Sequence, residues 1–168
     1  MRLLDTSLSR RRLLAAAAAL PASAAAPRKK VLVGGHPWVY AARQPDRDPT
    51  PELEQIFADF RRAGLDGIEL MGVVLTAHDD GVRRVRELSK RHRLPVIGAS
   101  WSAQLWRREE HGKSLADARL AIERIAAVGG RTLGVSVGDA RRRKTAAELD
   151  AQAEALREIL RMGADHGV

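Results

Sequence analysis

Six side chains in this 168-residue chain combine a reactive chemistry with a placement suited to a site. Glu69 interrupts the apolar run Gly67-Ile68-Glu69-Leu70-Met71. A carboxylate there can accept a hydrogen bond from a hydroxyl or assist proton movement beside a carbonyl, and equally it can pair with a nearby Arg or Lys. His36 follows the run Val31-Leu32-Val33-Gly34-Gly35, where a neutral imidazole can bind or polarise an oxygen and a loop histidine beside Pro37 can do nothing. His78 is followed by Asp79 and Asp80; neighbours in sequence seldom converge on one ion, and Asp79 fits the start of the next helix. Trp38 and Trp101 can wall the apolar face of a ligand, but together with Trp106 they also suit core filling under loops. Arg141 opens the run Arg141-Arg142-Arg143-Lys144, able to hold a phosphate or carboxylate, although a solvated loop is the commoner use of such a run. Ser136 and Asp139 lie just upstream of it. His92, His111 and His166 sit at helix ends or in loops and receive no assignment. No phosphate-cradling GxxxxGK is present, and Gly34-Gly35 lacks the rest of a dinucleotide fingerprint.

Composition narrows the setting for these groups. Hydrophobic residues make up 45% and charged residues 30%, which is globular. There is no cysteine, so disulfides, thiolate nucleophiles, Cys-ligated zinc and iron–sulfur clusters are excluded together. Aromatics are 4%, too few for a surface that stacks RNA bases. The formal charge of +8 is unevenly spread, with Arg2, Arg10, Arg11 and Arg12 against Asp5 giving residues 1–24 a net +3. Much of the remainder sits in the 141–144 run, so the charge does not form a nucleic-acid stripe.

The first 26 residues read as a targeting segment rather than as part of the fold. Ser9-Arg10-Arg11-Arg12-Leu13-Leu14, an Ala-rich run to Leu20 and Pro21-Ala22-Ser23-Ala24 supply a basic start, a short apolar stretch and an Ala-x-Ala cleavage site. The apolar stretch is too short to anchor in a bilayer. The arginine run resembles a twin-arginine export signal, with Leu13 where Phe is common, and implies a periplasmic or secreted protein. An ordinary secretory signal or an Ala-rich cytosolic helix are the alternatives.

From residue 27 onward, apolar periodicity alternates between strand and helix. Strands are predicted over 31–35, 67–71, 95–100 and 132–137. The first helix starts at Thr50-Pro51, carries Leu53, Ile56, Phe57 and Phe60 on one face and ends at Gly64. The second shows Val82, Val85 and Leu88. The third opens on Ser114-x-x-Asp117 with the stripe Leu115, Ala118, Ile122 and Ile125, and ends at Gly129-Gly130. The fourth opens on Thr145-x-x-Glu148 and runs through Leu149, Leu156, Ile159 and Leu160. Such spacing predicts a parallel α/β sheet, and leaves open whether it is a doubly wound sheet or part of a (βα)₈ barrel.

Ala63-Gly64-Leu65-Asp66-Gly67-Ile68-Glu69-Leu70 resembles the xylose isomerase-like TIM-barrel family, which includes the sugar phosphate isomerases and epimerases. Leu94-Pro95-Val96-Ile97, Ala126-Ala127-Val128-Gly129-Gly130-Arg131-Thr132-Leu133 and the closing Met162-Gly163-Ala164-Asp165-His166-Gly167-Val168 are similar to its approaches to strands three, four and five. The resemblance implies that 27–168 is the N-terminal half of a (βα)₈ barrel, a fold that takes eight strands and about 250 residues. The family's activity would be metal-assisted isomerisation or epimerisation of a small sugar or sugar acid, with Mn²⁺, Mg²⁺ or Co²⁺ held by carboxylates and a histidine on strands five to eight. None of those ligands is assigned in this chain, so these residues are expected to be inactive alone. Glu69 would be catalytic, and His36, Trp38, His78, Trp101 and Arg141 would contact substrate. Two exposed sheet edges imply a fragment, a complementary partner or self-association. The alternatives are a non-catalytic exported sugar-binding or interaction protein, and the family's branch acting on abasic DNA, which the export signal and scarce aromatics disfavour.

Overall fold

A computed structural model describes residues 31–168, so the expected leader over 1–26 lies outside the described residues. The alternating pattern becomes four parallel strands in the order β1-β2-β3-β4, namely β1 (Gly34–Gly35), β2 (Gly67–Met71), β3 (Val96–Ser102) and β4 (Leu133–Ser136). Between and after them run α1 (Trp38–Ala41), α2 (Leu53–Arg62), α3 (Val73–Thr76), α4 (Gly81–His92), α5 (His111–Ala127) and α6 (Ala146–His166). Strand order equals chain order, whereas a doubly wound sheet reverses direction at a switch point and carries helices on both faces. Here the helices cover one face. Ile68, Leu70, Val96 and Ala99 meet Leu53, Ile56, Phe57, Val85 and Leu88, and a second cluster joins Ile122, Ala155, Ile159 and Met162 to Trp101, Val135 and Val137. The architecture is therefore the wall of a (βα) barrel, with the alternate strand residues facing its interior. Among the described residues, no helix is long and apolar enough to cross a membrane.

Close strand approach on the interior face depends on glycine. The ladder slips by one residue at Ile97, so that Ile68 pairs with Val96 but Glu69 with Gly98. Ile97 then lies flat across its neighbours: a Cβ on Gly34 would sit 2.3 Å from its Cδ1, and one on Gly67 2.6 Å from its Cγ2.

Several local expectations are corrected. β1 is shorter than 31–35, because Val31, at 80% exposure, and its two neighbours have no apolar surface to cover them. Val33 is still tied to Asp66: its carbonyl accepts the Asp66 backbone N–H (2.8 Å) and its own N–H donates to Asp66 Oδ2 (3.1 Å). Thr50 does not cap α2; it enters a 3₁₀ turn over Thr50–Glu52, and Asp48 accepts from both its N–H (2.9 Å) and its hydroxyl (2.5 Å). Likewise, the Ser114-x-x-Asp117 box is not formed. A 3₁₀ turn over Arg108–Glu110 starts the third long helix three residues earlier, so Ser114 is buried inside it and Asp117 pairs with Lys113 at 2.7 Å. In α6 the buried stripe is Ala151, Ala155, Ile159 and Met162, while Leu149 and Leu160 face outward. Small alanines on α5 and α6 let the two helices pack closely, and that rotates the leucines away.

The capping box of α6 forms as its sequence implies: Thr145 N–H donates to Glu148 Oε2 (2.7 Å) and Glu148 N–H to Thr145 Oγ1 (3.3 Å). Arg142 first, then Thr145, hold the Glu148 carboxyl down at about 2, from an ordinary 4.5. A depressed folded value means stability that is present above 4.5 and lost as pH falls through the interval down to 2. The gap in thermal unfolding between the wild type and Glu148→Gln should therefore be full at about pH 6 and shrink steadily as pH is lowered to about 2.5. A constant gap across that range would show that the charge is not what Arg142 and Thr145 stabilise.

Candidate active site

Four strand ends converge on one cavity of about 390 Å³ on the interior side of the wall. His36 comes from the turn after β1, Trp38 from the first position of α1, Ser100, Trp101 and Ser102 from β3, and Ser136 from the end of β4. Met71, Gly72, Val73 and Thr76 close it from β2 and α3. Such a mixture of aromatic walls and a few hydroxyls is typical of a small-molecule site.

Cross-strand bonds hold its shape. His36 Nε2 lies 2.9 Å from Ser100 Oγ, so the imidazole spans from β1 to β3 and is fixed at one nitrogen. Gly72 N–H donates to the Ser100 carbonyl at 2.8 Å, closing the β2 end against the same residue. Trp38 is 45% exposed, and the Arg47 guanidinium stacks 5.4 Å from its ring centroid. Trp101 both packs on the second core cluster and lines the cavity, so its two expected uses are combined.

Glu69 does not line this cavity, being two residues before Met71 on the same face of β2. Its carboxylate nevertheless reaches upward across β3. A Cβ on Gly134 would sit 3.3 Å from Glu69 Oε1, and Gly134 pairs with Ser100, which pairs with Met71. The oxygen is thus level in register with residues of the cavity. Glu69 is half-buried and has no hydrogen bond or ion pair among the described residues, so no Arg or Lys claims it.

The other expected contacts lie elsewhere. His78 Nε2 is 2.8 Å from Asp48 Oδ2 and ties the loop before α2 to the loop after α3. Burial pushes the Asp48 carboxyl up, but hydrogen bonds from Thr50 and His78 outweigh it and leave it below the ordinary range. Arg141 is exposed in a left-handed turn (φ 52°), its N–H on Asp139 Oδ1 at 2.8 Å. Arg142 grips Glu148 with both terminal nitrogens (2.9 and 2.5 Å), and Lys144 Nζ meets the Gly138 carbonyl (2.9 Å) and Gln152 (2.8 Å). Arg142 and Lys144 are thus engaged with their own loop and with α6, whereas for Arg141 the backbone N–H, not the guanidinium, makes the bond to Asp139. Trp106 is not core filling either: its Nε1 donates to Gln104 at 2.6 Å, with Arg107 and Arg142 over its ring at 4.8 and 5.6 Å.

Sequence reasoning passed over Ser100, Ser102, Thr76 and Asp48. The alternation in Val96–Ser102 carries a signal for the two serines, since residues two apart share a strand face. Asp48-Pro49-Thr50 is an Asx-turn spacing and signals the other.

The model for the xylose isomerase-like TIM barrel matches residues 57–168, well over half of the sequence. The chain belongs to this family. Curated protein sequences give no significant match. Among solved structures it is similar to D-allulose 3-epimerase from Methylomonas sp., at 22% identity and a TM-score of 0.68, over 83% of this chain and 50% of that one. The same epimerase in complex with D-allulose gives 21% and 0.66, with the same shares covered. The 3-keto-D-glucoside 4-epimerase YcjR from E. coli gives 20% and 0.65, over 83% of this chain and 54% of that one. At such identities the likeness shows the fold. The chain spans about half the length of these structures.

Family resemblance implies a divalent ion, so the donor set is the decisive test. Among the described residues, no three His, Cys, Asp or Glu side chains are grouped to hold a metal. His78 is tied to Asp48 instead, on the loops before α2 and after α3. The described residues by themselves do not fit such an ion.

Proposed function

We propose that the interior face of β1–β4 forms the binding cup for a small sugar or sugar acid in an isomerase- or epimerase-type protein. The observation carrying this reading is the convergence of His36 and Trp38, which follow β1, with Trp101 from the end of β3 on one cavity at the C-terminal rim, with Glu69 unpaired beneath. Active sites of this barrel lie at that rim. Similar structures that are epimerases, one holding D-allulose, support the substrate class. The indole faces take the carbon skeleton, and His36 with the serines takes hydroxyl groups. Glu69 accepts a hydroxyl hydrogen bond or moves a proton beside the carbonyl.

Tryptophan fluorescence of the full chain tests it. Titration with D-allulose and its C3 epimer D-fructose is expected to give a saturable change below about 100 mM, a weak-ligand range. The double variant Trp38→Phe/Trp101→Phe should lose it, with Trp106 still present as a reporter of folding. A response that survives in the double variant places the sugar outside this cavity, and no response to either sugar defeats the reading.

Export by the twin-arginine route belongs to the same proposal, supported by Ser9-Arg10-Arg11-Arg12 and the Ala-x-Ala site. Arg10→Lys/Arg11→Lys should leave the protein inside the cell when fractions are compared; unaltered export would favour the general secretory route.

A further inference from the structure

The cup does not end at Ser102 and Ser136. These residues stand opposite each other in the β3–β4 ladder, and both also line a second concavity of about 440 Å³. Its far walls are Gln104 after β3, Gly138 after β4 and the first turns of α5. We propose that this annex holds the second ring of a disaccharide or glycoside whose first ring occupies the cup. The inference rests on the sugar-binding reading above.

Charge comes first, because it decides the ligand class. Lys113 Nζ is 2.7 Å from Asp117, and Glu110 holds Arg107 at 2.8 Å, so the ionised groups around the annex are already matched. Of the residues lining the annex, the one cation, Lys113, is thus already held by a carboxylate and is not free for a phosphate. What remains are neutral hydrogen-bonding groups, the kind that recognise hydroxyls.

One of these is fixed with care. An indole nitrogen only donates, so the Trp106 contact at 2.6 Å engages the Gln104 amide oxygen and leaves its NH₂ as the donor. Trp106 is in turn covered by Arg107 and Arg142, each held by its own carboxylate, Glu110 and Glu148. Gly138 completes the arrangement. It takes φ 78°, and a Cβ there would lie 2.3 Å from Gln104 Oε1, so only glycine lets the loop after β4 close onto the amide. A rigid amide donor, paired serines at the junction and a volume within the usual 300–1,000 Å³ of ligand sites, roughly, fit one further polyhydroxylated ring.

The test compares D-fructose with lactulose and turanose, in which fructose carries a second ring. In ¹H–¹⁵N spectra of the full chain, fructose should move the indole signals of Trp38 and Trp101 only. At least one disaccharide should also move the Gln104 side-chain NH₂ and the Trp106 indole, and bind about fivefold more tightly, the worth of one added hydrogen bond. Gln104→Glu keeps an acceptor for Trp106 and removes the donor; it should cancel the fivefold gain and leave fructose binding unchanged. If both disaccharides move Trp38 and Trp101 while Gln104 and Trp106 stay still, the annex is not a subsite, whether or not the variant folds. Undiminished disaccharide binding by Gln104→Glu overturns it too. If no sugar moves Trp38 or Trp101, the cup reading fails and the subsite fails with it.

Discussion

Gly98→Ala is expected to destabilise the chain by about 3 kcal/mol, toward the upper end for overpacking a filled interior. Its added Cβ would meet Thr132 Oγ1 at 2.0 Å and the Thr132 carbonyl oxygen at 2.4 Å. The hydroxyl can rotate away, but the carbonyl accepts the Ala99 N–H at 3.0 Å and is part of the β3–β4 junction. Relief therefore requires the two strands to separate where they position Ser100, Ser102 and Ser136. Gly112→Ala is the control: it sits in the first turn of α5 with nothing within 4 Å of the new Cβ, and should be neutral or stabilising by up to about 1 kcal/mol. Thermal or urea unfolding of both variants measures the contrast. Equal midpoints would show that β3 and β4 do not approach as closely as the register implies.

Glu69→Gln is expected to weaken sugar binding by roughly ten- to a hundredfold, the range for losing a hydrogen bond to a charged group. Tm should not move, because the carboxylate makes no hydrogen bond or ion pair among the described residues and the amide is its isostere. Gly134→Ala should act in the same direction more weakly, since its Cβ would press on Oε1 from 3.3 Å. Isothermal titration with D-allulose, paired with melting curves, separates the roles. A Tm that falls in step with affinity makes Glu69 a structural residue of the inner wall and removes it from the proposed chemistry.

Much of the fold is legible locally. The stripe Leu53, Ile56, Phe57 fits a helix over a sheet, and all three are fully buried in α2. Thr145 and Glu148 satisfy each other within one turn, so their box forms irrespective of distant contacts. Ser114 and Asp117 have the same spacing and form no box, because the chain enters α5 through an upstream 3₁₀ turn over Arg108–Glu110, which leaves Ser114 inside the helix. Leu160 shows the same limit: periodicity puts it on the stripe, yet at 71% exposure it lies outside the contact that Ala155 and Ile159 make. The site divides in a similar way. His36, Trp38 and Trp101 are visible as strand-end residues of suitable chemistry, whereas Ser100 and Gln104 acquire meaning only from what lies across from them.

The alternation of four strands and their helices, and the family to which they belong, are legible along the chain because side-chain periodicity and end signals act over a few residues. Tertiary packing sets the rest: β1 to β4 lie in chain order as one wall of a barrel, Ser100 holds His36, His78 is tied to Asp48, Arg141 sits exposed in a left-handed turn, and Glu69 rises over Gly134. Register between parallel strands joins residues 28 or more positions apart. It is set by how glycines, a bulge at Ile97 and the helix layer pack together, and no local pattern contains that information.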